Sequence, residues 1–397
     1  MKTIDDINFK GERVVIRVDY NVPIDQFGKV TDSTRIESSR ETISRVTNNG
    51  GIVILLTHIG RPKGIDLKFS CSLIVDEVSK ILGQKVFFCN STIGNQAEDK
   101  VKGLLPGQII LMENVRFFSE ETEGNTDFAE QLSRLGKVYI NDAFGTVHRA
   151  HSSTTTIAKF FKKKYFGKLL EKEVRSINKV VKNGKKPILA IIGGAKISSK
   201  ITVIESLLDS VNDILIGGGM AYTFIKAQGG LIGDSIFEED FCDYALKLIK
   251  TAKSKGVKIH LPLDVVAANS FSNKAKIQIS KIEQIPDRWQ GLDFGPQSIL
   301  KIKPLILKSK TILWNGPLGV FEFDNFSKGT VALGELISEA TKNGSFSLVG
   351  GGDSVAAVKK FGFFDKMSYV STGGGAMLES LEGKTLPGIE ALQKEFS

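Results

Sequence analysis

The chain has 397 residues, 41% of them hydrophobic, and a formal net charge of +9; that is too long for one ordinary core and apolar enough for two. Three cysteines, Cys71, Cys89 and Cys242, with no C-x-x-C pair, suggest neither a disulfide framework nor a zinc site and fit free thiols in a reducing cytoplasm. The longest apolar runs, such as Ile52–Leu56 and Ile188–Ile192, are strand-sized rather than membrane-sized, and no apolar leader follows Met1-Lys-Thr-Ile-Asp-Asp, so no signal peptide is expected.

In chain order, the first half alternates strands with helices. Short apolar or β-branched runs predict strands at Val14–Val18, Ile52–Thr57, Val86–Cys89, Ile109–Met112 and Val138–Asn141. Helical spacing of Ile36, Ile43 and Val46 predicts a helix over about Ser33–Asn48, stopped by Asn49-Gly50-Gly51, and another spans Ser72–Leu82 up to Gly83. The densest basic stretch, Phe160–Lys164, reads as a solvated helix face. A charged helix over Phe166–Val181, ended by Asn183-Gly184, reads as a connector. Beyond it, strands are predicted at Ile188–Ile192, Ile214–Ile216, Lys258–Leu261, Thr311–Trp314, Ser347–Val349 and Met367–Val370, with helices at Ile201–Val211, Phe241–Ser254 and Thr330–Lys342. The expected fold is therefore α/β: two doubly wound, mostly parallel, Rossmann-like domains joined by a helix.

The two halves differ in kind. Of eleven arginines against forty-two lysines, nine lie before residue 150, whereas glycine is concentrated after residue 184, where all three Gly-Gly-Gly runs fall. Ligands of open α/β sheets bind beyond the carboxyl ends of the strands. In the first half those ends are polar: Asp19-Tyr20-Asn21, His58-Ile59-Gly60-Arg61, Glu113-Asn114-Val115-Arg116, and Asp142 through His148, Arg149 and His151, with Arg35 opening the first helix. A surface ion pair would account for any one of these arginines, but four or five at successive strand ends suit a phosphate or carboxylate, which guanidinium binds bidentately.

In the second half the same places are glycine-rich: Gly193-Gly194-Ala195-Lys196, Gly217-Gly218-Gly219, Asn315-Gly316-Pro317, Gly350-Gly351-Gly352-Asp353-Ser354 and Ser371-Thr372-Gly373-Gly374-Gly375. Glycine admits close approach to the backbone, and helix N-termini attract phosphates. Lys196 and Lys200, four apart at a helix start, should point at the same phosphates. Asp353 could hold Mg²⁺ with phosphate oxygens or cap the next helix. The positive charge favours anionic partners. With no continuous basic tract, nucleic acid is the weaker candidate and small phosphorylated ligands fit equally.

No G-x-x-x-x-G-K-[ST] is present and no run completes G-x-G-x-x-G, which counts against a P-loop enzyme and a dehydrogenase. A non-catalytic nucleotide or nucleic-acid binder is a further alternative. No nucleophile–base pair stands out. A carboxylate acceptor is already ionised at neutral pH and needs none, so its phosphorylation depends on positioning and charge neutralisation.

Together these segments resemble phosphoglycerate kinases over essentially the whole chain. The likeness rests on Arg17-Val-Asp-Tyr-Asn-Val-Pro23, His58-Ile-Gly-Arg-Pro62, Glu113-Asn-Val-Arg-Phe117, Asp142-Ala-Phe-Gly-Thr-Val-His-Arg-Ala-His-Ser152, Gly193-Gly-Ala-Lys196, Trp314-Asn-Gly-Pro317, Gly350-Gly-Gly-Asp-Ser354 and Ser371-Thr-Gly-Gly-Gly-Ala376. The resemblance implies reversible, Mg²⁺-dependent phosphoryl transfer between 1,3-bisphosphoglycerate and ADP in an interdomain cleft that closes, by a cytoplasmic monomer with no nucleic-acid or membrane partner. It implies a phosphoglycerate-binding domain over 1–165, a connecting helix over 166–183, a nucleotide domain over 184–376 and a tail, 377–397, returning to the first domain. Asp19, Tyr20, Asn21, Arg35, His58, Ile59, Gly60, Arg61, Arg116 and Arg149 would hold phosphoglycerate. Gly194, Ala195, Lys200, Gly217, Gly218, Gly291, Asn315, Pro317, Glu322, Gly351, Gly352, Asp353 and Ser354 would hold nucleotide, with Asp353 on the metal. Arg35, Lys196, Gly351 and Gly374 would serve the transfer itself. The sequence departs from the family pattern at Tyr20 (commonly Phe), Val147 (commonly Ala) and Ser199 (commonly Asp); the last changes the charge between the two lysines.

Overall fold

Ten of the eleven sequence-predicted strands form two sheets in a computed structural model that describes residues 1–395; the eleventh, at Met367–Val370, survives only as Tyr369–Val370 in the second sheet. The chain divides into two compact units, one comprising Met1–Val174 with the chain from Thr385 onward and the other Arg175–Lys384.

In the first unit, β1 (Arg13–Val18), β2 (Ile52–Leu56), β3 (Val86–Cys89), β4 (Ile109–Met112), β5 (Val138–Asp142) and β6 (Lys163–Phe166) make a sheet ordered β3-β4-β2-β1-β5-β6. Every neighbouring pair is parallel. Strands β1, β2, β4 and β5 are almost wholly buried, and β2 and β4 are wholly apolar, as strands covered on both faces are. The order reverses between β1 and β5, and a binding crevice is expected at their carboxyl ends.

The second unit contributes β7 (Ile188–Ile192), β8 (Asp213–Ile216), β9 (Leu231–Ile232), β10 (Lys258–His260), β11 (Asp264–Ala268), β12 (Ile277–Lys281), β13 (Gln284–Ile285), β14 (Gln290–Phe294), β15 (Thr311–Asn315), β16 (Phe346–Val349) and β17 (Tyr369–Val370). Six of them form a parallel sheet ordered β10-β8-β7-β15-β16-β17, which reverses between β7 and β15. Two small sheets were not foreseen: an antiparallel one ordered β12-β11-β14 and the parallel pair β13–β9.

Two local readings need correction. The single helix expected over Ser33–Asn48 is two, Thr34–Ser38 and Arg40–Thr47. At the break, the Ser39 hydroxyl donates to the Ile36 carbonyl (2.9 Å) and meets the Tyr20 hydroxyl (2.7 Å), competing locally with the helix ladder. The basic stretch Phe160–Lys164 is not a helix face: it runs from a short 3₁₀ turn into edge strand β6, where Lys164 is buried. Lysine on an edge strand discourages pairing with another chain, which explains the composition without a helix.

The C-terminal helix Pro387–Gln393 packs on the first unit, its Gly388 amide donating to the Val147 carbonyl (2.9 Å). Phe396 and Ser397, the end of the expected tail, lie outside the described residues.

At the switch point of the second sheet, the backbones leaving β7 and β15 nearly touch. A Cβ on Gly193 would lie 2.1 Å from the Pro317 carbonyl oxygen, and the neighbouring atoms are backbone that cannot swing away. Gly193→Ala should therefore destabilise the protein by about 1–3 kcal/mol, as overpacking does; urea unfolding of the purified variant measures this.

Candidate active site

Four arginines of the first unit, Arg35, Arg61, Arg116 and Arg149, follow the carboxyl ends of β1, β2, β4 and β5. Asp19, at the end of β1, pairs with the half-exposed Arg35 (3.1 Å), whose Nη1 also donates to the Asn21 carbonyl (3.0 Å). Asn21 Oδ1 accepts the Gly60 amide (2.8 Å), and Arg116 Nη1 donates to the Gly60 carbonyl (2.8 Å). Asn114 supports the same turn by donating to the Ile59 carbonyl (2.8 Å). Both polar groups of Gly60 are therefore committed to protein, and Ile59 is buried. Tyr20 is also buried, its ring in the core and its hydroxyl on Ser39, so it supports the site without facing it.

Arg61, Arg116 and Arg149 line a hollow of about 400 Å³ together with Lys63 and His151. Arg116 Nε is buried there without a hydrogen-bond partner. Burial, then repulsion from Arg17 and Arg149, pulls this guanidinium down to about 10. A hollow that holds cations close together suits an anion carrying more than one oxygen.

Sequence reasoning missed the layer beneath. Arg17 is wholly buried within β1. It donates to Ser153 Oγ (2.8 Å), to the Val18 carbonyl and to His58 Nδ1 (3.1 Å). Ser153 in turn donates to buried Glu121 through its hydroxyl (2.6 Å) and its amide (2.9 Å). Arg17 sits in an apolar run, and nothing in its spacing distinguishes it from a lipophilic strand position. Burial first, then the charges of Arg17, Arg116, Arg35 and Arg149, hold His58 well below the usual imidazole range. The ring is thus neutral, and acceptance at Nδ1 leaves its proton on Nε2. The same causes, burial and then Arg116, Arg17, Arg149 and His148, push His151 down to about 4.

In the second unit, side-chain amides and hydroxyls tie the glycine turns together. Asn315 Oδ1 accepts from Lys200 Nζ (2.5 Å) and its Nδ2 donates to the Gly350 carbonyl (2.7 Å). Ser354 Oγ accepts the Gly316 amide (2.5 Å). Burial lowers the Lys200 ammonium, and the charge of Asp353 opposes that. Lys196 is exposed on the turn after Gly194, and Ser199 donates to the Lys196 carbonyl (2.9 Å). The residue that departs from the family pattern therefore closes a backbone turn.

Gly194, Ala195, Gly218, Gly291, Pro317, Glu322 and Asp353 line one cavity of about 400 Å³. Sequence reasoning missed its apolar wall, which includes Tyr222, Ile236, Phe271, Leu292 and Leu318. Phe271 was recoverable in principle, as an aromatic in a Ser/Asn-rich loop; it is 61% exposed at this cavity, where an apolar ring needs a reason to be. Gly217, Asn315, Gly351, Gly352, Ser354 and Lys200 lie outside the cavity lining. Gly217 is packed against Leu318, and Gly351 against Asn315. Gly352 opens the helix Gly352–Lys360 and Gly374 precedes the helix Gly375–Leu381, both with open space where a side chain would stand.

Among the described residues no cluster of three His, Cys, Asp or Glu could hold a metal. A single exposed carboxylate, Asp353, in the first turn of Gly352–Lys360 and within electrostatic reach of Lys200, fits a Mg²⁺ that takes most of its ligands from phosphates and water.

The family model for phosphoglycerate kinase matches residues 4–384. The chain is 49% identical over 417 positions to the phosphoglycerate kinase of Porphyromonas gingivalis, covering 98% of this chain and 100% of the relative. It is 49% identical over 392 positions to phosphoglycerate kinase 3, cytosolic, of Arabidopsis thaliana, covering 99% and 98%. The solved structure of phosphoglycerate kinase from Coxiella burnetii aligns with a TM-score of 0.91 at 40% identity, covering 98% of each chain. That from Pyrococcus horikoshii aligns at 0.83 and 29%, covering 99% and 98%.

The depressed His151 value has a consequence for stability. The folded chain binds that proton less tightly than the unfolded chain, where imidazole has its ordinary value of 6.5. The contribution is fully present above 6.5 and is lost as pH falls toward 4. His151→Gln should thus lose less stability than the parent on going from about pH 7 to about pH 4.5, which paired urea titrations would show.

Proposed function

The chain belongs to the phosphoglycerate kinase family and is a phosphotransferase with a carboxyl group as acceptor; from that premise we propose how its two units divide the reaction. The first holds 3-phosphoglycerate or 1,3-bisphosphoglycerate through Asp19, Asn21, Arg35, His58, Arg61, Arg116 and Arg149. The second holds ADP or ATP in the cavity between Gly218, Gly291, Pro317 and Glu322, with Glu322 on the ribose. Its phosphates lie toward Lys200, Gly352, Asp353 and Ser354. The observation that carries this reading is the contrast between the two hollows. One is walled by guanidinium groups and the other by glycine backbone and apolar side chains.

Asp353 would hold Mg²⁺, which supplies charge neutralisation to the nucleotide phosphates when bound. The chain's own groups do the rest. The acceptor carboxylate is ionised at neutral pH, so no base has to remove a proton. His58 and His151, held neutral by burial and by arginine charge, can position oxygens but do not deliver protons near neutral pH. Lys196 and Arg35 flank the phosphoryl in flight, with Gly351 and Gly374 lending amides; catalysis is by placement and charge. Because the two ligand sets belong to different units, the units must close on each other and exclude water before in-line transfer. We place the protein in the cytoplasm as a monomer. A relative carries the name cytosolic, and no described helix is long and apolar enough to cross a membrane.

A coupled assay with ATP, Mg²⁺ and 3-phosphoglycerate tests the assignment. Lys196→Ala should lower kcat on the order of 10²–10³-fold with phosphoglycerate affinity intact; an unchanged kcat would remove Lys196 from the transfer step. Arg149→Ala should weaken phosphoglycerate binding by about 1.5–3 kcal/mol in calorimetry, the worth of hydrogen bonds to a charged group. Gly352→Ala should leave thermal stability intact, since nothing lies within 4 Å of the added methyl. It should nonetheless raise KM for the nucleotide, because the methyl stands where phosphates approach.

A further inference from the structure

We propose that Asp293 is a positioning residue of the nucleotide site, fixing the Pro317–Glu322 loop against β14 through its buried carboxylate. Asp293 is only 2% exposed and touches neither cavity nor solvent. One oxygen, Oδ2, accepts the Gly329 amide (2.8 Å) in the first turn of the helix Lys328–Lys342. The other, Oδ1, is buried with no hydrogen-bond partner. It lies where a Cβ on Gly319 would come within 2.1 Å, and a Cβ on Gly329 would come within 2.4 Å. Gly319 is in the loop that carries Pro317 and Glu322.

Capping one helix requires a single acceptor. A second carboxylate oxygen left buried and unpaired is a cost, about 1–3 kcal/mol for an unsatisfied polar group. Burial pushes this carboxyl up to about 7, against the pull of the Gly329 amide and the Lys328 charge. The chain nevertheless keeps the carboxylate, with glycine on both sides of it. The contacts around it explain what is gained. The Leu318 amide donates to Thr330 Oγ1 (3.2 Å), on the helix that Asp293 caps. The Val320 amide donates to the Leu292 carbonyl (2.9 Å), beside Asp293 on β14. Asp293 thus locks together the helix and the strand that grip the loop from either side, and Gly291, Leu292, Pro317 and Glu322 all line the nucleotide cavity.

This inference rests on the nucleotide reading above, and the test separates the two. In the coupled assay, Asp293→Ala should raise KM for ATP on the order of tenfold, with KM for 3-phosphoglycerate and kcat at saturating ATP within about twofold of the parent. Asp293→Asn keeps an acceptor oxygen for the Gly329 amide and should stay within about threefold for ATP. Thr330→Val, which removes the loop's other tie without touching Asp293, should shift KM for ATP in the same direction. An equal rise in both KM values, or an ATP KM unmoved in Asp293→Ala, overturns the proposal. If Asp293→Ala does not fold, an unmoved ATP KM in Thr330→Val overturns it and a selective rise supports it. Gly352→Ala is the control. If it too leaves ATP affinity unchanged, the nucleotide site is misplaced and both readings fall; if it alone responds, only the role of Asp293 falls.

Discussion

Three times in this chain a buried aspartate at or beside a strand end takes the first amides of a long helix, with a glycine pressed against its carboxylate. Asp142 accepts from Leu169 (2.9 Å) and Leu170 (3.2 Å), with Gly167 against it. Asp264 accepts from Ser298 (2.7 Å) and Gln297 (3.1 Å), with Gly295 against it. Asp293 accepts from Gly329, with Gly329 and Gly319 against it. The helix N-terminus supplies the positive potential that makes such a carboxylate tolerable in the interior. The balance is close in two of them: burial lifts both Asp142 and Asp293 to about 7. Each clamp fixes where a helix begins relative to a strand, and β14, which carries Asp293, also contributes Gln290, Gly291 and Leu292 to the glycine-rich cavity.

On that frame the two hollows are built by opposite means. The first uses side-chain charge: several guanidinium groups converge on one hollow, and a further cation, Arg17, is spent below the surface to set the ring of His58. The second uses backbone. Its turns run so close together that a methyl group on Gly193 or Gly316 would collide with the other turn. The first arrangement suits a small, highly charged ligand gripped on several sides; the second suits a long ligand with a flat apolar end, for which Tyr222, Phe271 and Leu292 provide the wall.

How much of this was legible followed from which physical signal each element depends on. Strands buried on both faces show as apolar runs, so β1, β2, β4, β7 and β15 stand out in the sequence. The antiparallel sheet β12-β11-β14 does not, because β12 reads Ile-Gln-Ile-Ser-Lys and is largely exposed. Strand β6 was hidden by its lysines. The helix Met220–Ala227 escaped because it is buried on nearly every side and so lacks a polar face to give it a period. The same division holds at the site. Residues at strand ends could be found by position alone. Arg17, Glu121, Ser153 and Asp293 could not, because their roles lie in what they touch across the core, and Asp142, found at a strand end, turns inward to the amides of Leu169 and Leu170.

The quiet proton chemistry of the first unit completes the physical picture. A cluster of arginines around two imidazoles would ordinarily suggest acid–base work, yet burial first, and then the arginine charges, drive His58 and His151 toward their neutral forms. Buried Glu121 moves the other way, its carboxyl raised by burial and restrained by Arg17 and Ser153. Both imidazoles are thus kept in their neutral forms beside the arginines. For an acceptor that must be protonated or deprotonated this would be a defect. A carboxylate acceptor is already ionised and needs no such exchange. The family's carboxyl-acceptor chemistry needs no proton transfer, and the electrostatics of the arginine-rich hollow are compatible with that.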